Sequence, residues 1–260
     1  MQIHVLASGS SGNSIYIQLG QTRLLVDAGI STRRIERCLL EIGVKAGEID
    51  ALLITHEHTD HIKGLDVLAR KYKMPVYAQS RTWDMITCRD KLPPGCRREL
   101  AGSLDIGGVE VEPFSISHDA VDPVGFCFYH RNHKCAVITD LGVVTKRVED
   151  ALSYTDAVVL ESNHDPFMLD NGPYPRFLKL RIKSASGHLS NHDAARALAS
   201  IPRKNTMQVF LAHLSQQNNN PSLAENTVTG ILSDHGCAVG REIILHRTYK
   251  ERISSYVKQV

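Results

Sequence analysis

Three histidines and an aspartate crowd into residues 56–61, in the string Thr55-His56-Glu57-His58-Thr59-Asp60-His61. The string follows directly on the apolar run Asp50-Ala51-Leu52-Leu53-Ile54, which reads as a buried β-strand by its length and branched residues. His56 and His58 are two positions apart, so an extended chain projects them from one face. Asp60 and His61 stand where the strand gives way to the helical pattern Ile62, Leu65, Leu68, Ala69. Imidazole and carboxylate are ligands suited to zinc and its first-row neighbours. One strand end therefore offers two imidazoles to one ion and an Asp-His pair to a second. A fold built around this string has to bring further ligands to the same point.

Those ligands have candidates at other strand ends, where a rigid scaffold presents its chemistry. His118 closes Phe114-Ser115-Ile116-Ser117, Asp140 follows Cys135-Ala136-Val137-Ile138-Thr139, and His213 follows Val209-Phe210-Leu211-Ala212. Any one of them alone reads as an ordinary core or surface residue. Their repeated placement beside the first motif points to ligation.

The remaining pattern is mixed α/β. Hairpin-forming strands open the chain, and Ser31 is placed to cap a helix carrying Ile35, Leu39 and Ile42, stopped by Gly43. Helices are predicted near 61–73, 80–89, 144–152, 190–200 and 221–235, with strands between them and a polar, then basic, stretch over 162–187. No repeat or clear linker divides the chain, so residues 1–260 read as a single domain of two packed sheets with helices outside.

Charged residues are 22% of the chain and the formal net charge is +2, so a polyanion site has to come from local clustering. Arg176-Phe177-Leu178-Lys179-Leu180-Arg181-Ile182-Lys183 is such a cluster, and Arg176, Lys179, Arg181 and Lys183 are candidate phosphate contacts. The turn Ser8-Gly9-Ser10-Ser11-Gly12-Asn13-Ser14 exposes backbone N–H groups, with Ser10, Ser11 and Asn13 as candidate substrate contacts. No basic leader precedes an apolar segment, and no run approaches the ~20 apolar residues of a spanning helix. Six cysteines without a C-x-x-C pair suit free thiols in a reducing compartment, so a cytoplasmic location away from the membrane is expected.

The ordered motifs His-x-His-x-Asp-His, His118, Thr139-Asp140 and Ala212-His213-Leu214-Ser215 resemble the metallo-β-lactamase superfamily. The serine-rich turn, Leu160-Glu161-Ser162-Asn163-His164-Asp165 and Ser186-Gly187-His188-Leu189-Ser190-Asn191 look like the YycJ/WalJ-type nuclease branch of that superfamily. The resemblance implies a four-layer αββα sandwich and two divalent cations, manganese or zinc. It implies that His56, His58 and His118 hold the first ion, that Asp60, His61 and His213 hold the second, and that Asp140 bridges them. Asp27, in Val26-Asp27-Ala28-Gly29, would orient the histidine loop from behind the ligands. The implied activity is phosphodiester hydrolysis on nucleic acid, DNA first, as a 5′-to-3′ exonuclease whose attacking water is activated between the ions, with Asp60 taking part in catalysis. His188 is the first candidate for protonating the leaving oxygen, with Glu161 or His164 holding or recharging it. The alternative is hydrolysis of a small thioester or lactone on the same metal pair. β-Lactam hydrolysis is disfavoured, because the zinc β-lactamases carry a cysteine where Asp140 stands.

Overall fold

The computed structural model describes residues 1–258, which pack as two compact units. The first comprises residues 1–113, residues 120–124 and the segment from Lys250 on; the second comprises residues 114–119 and 125–249.

In the first unit, the hairpin strands Gln2–Ala7 (β1), Ser14–Leu19 (β2) and Thr22–Val26 (β3) lead into the helix Thr32–Glu41 (α1). Ile35, Cys38 and Leu39 form the buried face of α1, as their spacing demands. Ser31 does precede this helix, but its side chain makes no capping hydrogen bond. Ala51–Leu53 (β4) follows, then two short helices, Thr59–Ile62 (α2) and Leu65–Tyr72 (α3), in place of the continuous helix predicted near 61–73. The break falls at Gly64, whose N–H donates to the Ala28 carbonyl at 2.7 Å. A Cβ there would lie 2.3 Å from the Ile30 carbonyl oxygen, so close backbone approach overrides helix propensity. Val76–Ala78 (β5), Ser80–Met85 (α4), Arg97–Glu99 (β6) and Leu104–Ile106 (β7) continue the chain.

Val109–Ser115 (β8) carries the chain into the second unit. There Val124–His130 (β9), His133–Ile138 (β10), Lys146–Leu152 (α5) and Ala157–Glu161 (β11) are followed by the short helices Pro166–Asn171 (α6) and Arg176–Ile182 (α7). Asn191–Ser200 (α8), Met207–Ala212 (β12), Pro221–Asp234 (α9) and Ile243–Arg247 (β13) complete it, and Ser254–Val257 (β14) belongs to the first unit.

One seven-stranded sheet runs β14-β1-β2-β3-β4-β5-β6 and the other β13-β12-β11-β10-β9-β8-β7. Both are mixed: β1 to β3 pair antiparallel and β3 to β6 parallel, while β10 to β13 pair parallel. Strands buried on both faces, such as β4, β11 and β12, read as continuous apolar runs for that reason. In the first unit Leu25, Leu52, Val76, Leu39 and Leu68 share an apolar cluster; in the second Ile138, Leu160, Leu198, Leu211 and Val228 do the same. All six cysteines are free thiols; Cys127 lies opposite Ala136 and Cys135 opposite Phe128. Among the described residues no helix is long and apolar enough to cross a membrane.

Candidate metal centre

In the first unit, β4 delivers the histidine loop and backbone hydrogen bonds clamp it. Asp27 N–H donates to Leu53 O, Ala28 N–H to His61 O and Asn13 N–H to Asp60 O, each at 2.8 Å. Gly29 sits so close that a Cβ would lie 1.6 Å from the Asp60 carbonyl oxygen. The strand 22–26 turn and the serine-rich turn thus hold the loop from two sides.

Asp27 is fully buried. Its Oδ1 accepts from Thr55 N–H at 2.9 Å, and its Oδ2 accepts from Thr55 Oγ1 at 2.9 Å and from His61 Nδ1 at 2.7 Å. An ionised carboxylate can only accept, so the His61 proton is on Nδ1 and the lone pair on Nε2. Thr55 spends its hydroxyl proton on Asp27, so its oxygen accepts from His56 Nδ1 at 3.0 Å. That leaves the His56 lone pair on Nε2 as well. His56 Nε2 and His58 Nδ1 are 3.1 Å apart. Two nitrogens ligating one tetrahedral ion at ~2.0–2.1 Å would stand about 3.3 Å apart. Asp60 Oδ2 lies 3.7 Å from His61 Nε2. Asn13 faces the same group: its amide nitrogen is 3.1 Å from His61 Nε2 and 3.5 Å from Asp60 Oδ2, while its oxygen accepts from Gly9 N–H at 2.9 Å. Ser10 is exposed and Ser11 half-buried in that turn.

In the second unit the organising group is Glu161, at the end of β11 and wholly buried. Its Oε1 accepts from His213 Nδ1 at 2.7 Å and from His188 Nδ1 at 2.9 Å. Its Oε2 accepts from Leu141 N–H at 2.5 Å and Leu189 N–H at 3.2 Å. Burial alone would raise its pKa, but the two imidazoles outweigh that and draw it down to about 2. Glu161 is therefore a saturated carboxylate that fixes two histidine tautomers from behind, with Nε2 of each turned away. His118 donates Nδ1 to the Gly187 carbonyl at 3.3 Å, so its lone pair is also on Nε2, 3.7 Å from Asp140 Oδ1. Burial pushes the His118 pKa down despite Asp140, favouring the neutral imidazole that a metal requires. Asp140, Glu161, His188 and His213 each offer an atom within 4.8 Å of the others.

His188 is the partly exposed member of this group, at 19% of its side chain. Burial lowers its pKa, but Glu161 outweighs burial, so the net shift is upward. His164 differs. It is buried, its Nδ1 has no hydrogen-bond partner among the described residues, and burial takes its pKa down to about 4. A neutral imidazole so placed lacks the acidic imidazolium proton near neutral pH and keeps only its weakly acidic ring N–H. The basic residues fall on α7, where Arg181 pairs with Asp119 Oδ2 at 2.5 Å, Lys179 donates to the Asp170 carbonyl at 2.8 Å and Lys183 pairs with Asp170. Arg176 is exposed at the start of that helix.

Among the described residues six non-glycine residues have positive φ, and three of them are Asp27 (61°), Asp140 (59°) and His213 (54°). Side chains held in a conformation that L-residues avoid mark places where the surrounding structure overrides local preference for the sake of a site. Asn163 supplies part of that restraint, since its side-chain amide donates to the His213 carbonyl at 2.7 Å. Thr55, Asn163 and the Gly187 carbonyl had no assigned role in the sequence, although Thr55 stands inside the motif.

The donor chemistry fits divalent metal. In five histidines (56, 61, 118, 188 and 213) Nδ1 is spent on an oxygen acceptor, which presents Nε2 as the ligating or proton-exchanging atom.

Residues 22–213 match the β-lactamase superfamily domain. Exodeoxyribonuclease YycJ of Bacillus anthracis is 41% identical over 251 residues, covering 95% of each chain. Exodeoxyribonuclease WalJ of Streptococcus pneumoniae is 39% identical over 249 residues, 94% of this chain and 93% of that one. Among solved structures, the metallo-β-lactamase fold protein YhfI of Bacillus subtilis aligns over 97% of this chain and 98% of its own, with a TM-score of 0.72 at 15% identity. That likeness carries the fold, the αββα class expected from the motifs. The chain belongs to the β-lactamase superfamily domain family and has the metallo-β-lactamase fold.

Proposed function

We propose that this chain is a metal-dependent nuclease that removes nucleotides from DNA ends in the 5′-to-3′ direction, using a pair of manganese or zinc ions. The observation that carries this reading is the 41% identity to an exodeoxyribonuclease across 95% of both chains. Its chemical support is the preparation of ligand atoms in both units. His56 and His58 with His118 are proposed for one ion, and Asp60 and His61 with His213 for the other, Asp140 bridging. We read residues 1–260 as a single metallo-β-lactamase-fold domain.

Bound divalent cations would supply Lewis acidity, activating water and neutralising charge that develops on the phosphoryl oxygens. The chain's own groups do the rest. Asp27 and Glu161 hold the imidazoles in the ligating tautomer, and Asp60 orients the attacking water by accepting its hydrogen bond. His188 holds a proton on Nε2 while Glu161 accepts from Nδ1, so it serves as the acid for the leaving sugar oxygen. His164, buried and neutral, is assigned to packing beside that acid. Ser10, Ser11 and the α7 cations remain our candidates for substrate contact, and Asn13 is better placed to position His61 and Asp60. Six free cysteines suit the cytoplasm, where we place the enzyme.

The test is purified protein loaded with manganese or zinc and offered end-labelled duplex DNA, single strands, RNA and a thioester. Stepwise release from 5′ ends, abolished in Asp60→Ala and His118→Ala, is the expected result. Hydrolysis of the thioester alone would overturn the nuclease reading, and full activity in both variants would overturn the ligand assignment.

A further inference from the structure

Phe167 and Phe177 are the chain's exposed phenylalanines, at 75% and 73%, whereas Phe114, Phe126, Phe128 and Phe210 are buried. Phe167 stands on α6 and Phe177 on α7, where Leu180, one turn further on, is 59% exposed. Single exposed apolar residues need no explanation, but Phe177 and Leu180 stand one turn apart on α7 and together form a small exposed apolar patch. The helix pair is closed on its other side: Lys179 and Lys183 reach across from α7 to Asp170 of α6, and Ile182 is buried. Phe177, Leu180 and Arg181 are spaced i, i+3 and i+4, so they share the open face of α7.

That face leads to the candidate centre. The Arg181 guanidinium donates to Asp119 Oδ2 at 2.6 Å, and Asp119 Oδ1 is 3.3 Å from His118 Nε2. The segment is also basic. Arg176, Lys179, Arg181 and Lys183 are four cations, set against Asp119, Asp170 and the α6 cap Asp165, which leaves a local excess of one positive charge. An exposed aromatic ring in a locally basic segment matches one class of polyanion well, a strand whose phosphates meet the cations while its unpaired bases stack.

We propose that Phe177, extended by Leu180, is a stacking platform for unpaired bases of the nucleic-acid strand that enters the site. The inference rests on the nuclease reading and deepens it, because a platform of this kind selects single-stranded ends and overhangs over blunt duplex. Phe177 and Phe167 sit outside the ligand set, so the chemistry itself does not depend on them.

The experiment compares wild type with Phe177→Ala and Phe177→Trp. Hydrolysis of bis(p-nitrophenyl) phosphate, which has no bases to stack, reports the intact centre and is expected unchanged. On a duplex with a short 5′ overhang, Phe177→Ala should raise KM about 10-fold with kcat retained, and Phe177→Trp should restore the wild-type KM. An overhang of abasic sugars should bind wild type and Phe177→Ala alike. Equal KM for the overhang in wild type and Phe177→Ala overturns the platform while leaving the nuclease reading intact. Equal loss on the abasic overhang overturns it too, since the contact would not be with bases. A wild-type dimer in light scattering that Phe177→Ala converts to monomer shows the face is covered by a second copy, which likewise refutes it. If wild type hydrolyses no DNA but binds a fluorescent oligothymidylate in a Phe177-dependent way, the nuclease reading fails and the platform stands.

Discussion

Replacing Glu161 by glutamine changes one atom in a fully buried group and should empty part of the metal centre. The native carboxylate accepts four hydrogen bonds, from His213 Nδ1 and His188 Nδ1 on one oxygen and from the Leu141 and Leu189 amides on the other. Glutamine has one acceptor oxygen and one NH2 group. The backbone amides cannot become acceptors, so the side-chain oxygen has to turn to them and its NH2 to the histidines. Each imidazole then has to accept at Nδ1, which moves its proton to Nε2 and removes the lone pair a metal needs. Loss of a ligand's supporting partner lowers metal affinity by roughly 10- to 100-fold, and here the proposed ligand His213 loses its partner while His188 loses the acceptor that holds its tautomer. We therefore expect up to about 100-fold weaker metal loading, about 2.8 kcal/mol at 1.4 kcal/mol per factor of ten. Competition with a chromophoric zinc chelator measures the affinity, nitrogen-15 NMR of the imidazoles reads the tautomer, and circular dichroism of the metal-free variant checks folding. A folded Glu161→Gln protein with wild-type affinity and protons still on Nδ1 would refute the reasoning.

Asp27→Asn applies the same logic in the first unit, where His61 Nδ1 and both Thr55 donors converge on the carboxylate; loading should weaken roughly 10- to 100-fold in the same competition assay. Gly29→Ala drives a Cβ to 1.6 Å from the Asp60 carbonyl oxygen and breaks the clamp on the histidine loop, with an expected loss of about 3 kcal/mol or more in urea denaturation. His4 is held by burial at a pKa of about 4, below its ordinary 6.5, so the unfolded chain binds more protons between those values. Its contribution is flat above pH 6.5 and turns destabilising as pH falls, reaching at most about 3 kcal/mol near pH 4. The stability of metal-free His4→Gln, measured against wild type from pH 7 to 4, should therefore improve relatively on acidification; parallel curves would exclude this.

The candidate ligands were legible because their chemistry coincides with element boundaries. His56–His61 follows a run too apolar to be anything but buried chain, and Asp140 and His213 follow two more. What surrounds them was not. The four donors on Glu161 come from residues 141, 188, 189 and 213, and no local pattern links them. Arg176–Ile182 mixes basic and apolar residues without a clear period; burial of Ile182, one turn beyond half-buried Leu178, shows that the helical period applies. Arg97–Glu99 exposes all three residues and exists through its pairing with β5, so no hydrophobic periodicity announced it. The helix near 61–73 failed at Gly64 because contacts with residues 28 and 30, remote in sequence, outweighed a continuous helical pattern.

Strand β14 closes the outer edge of β1 by pairing Gln2 with Val257 through Val5 with Ser254. On the ribosome these partners emerge about 250 residues apart. At about 5–20 residues per second, β1 therefore waits roughly 10–50 s with one row of backbone N–H and C=O groups open to any passing strand. The earliest-made sheet is thus the last to be sealed, and nascent chains stalled before Ser254 would be the species most prone to aggregate.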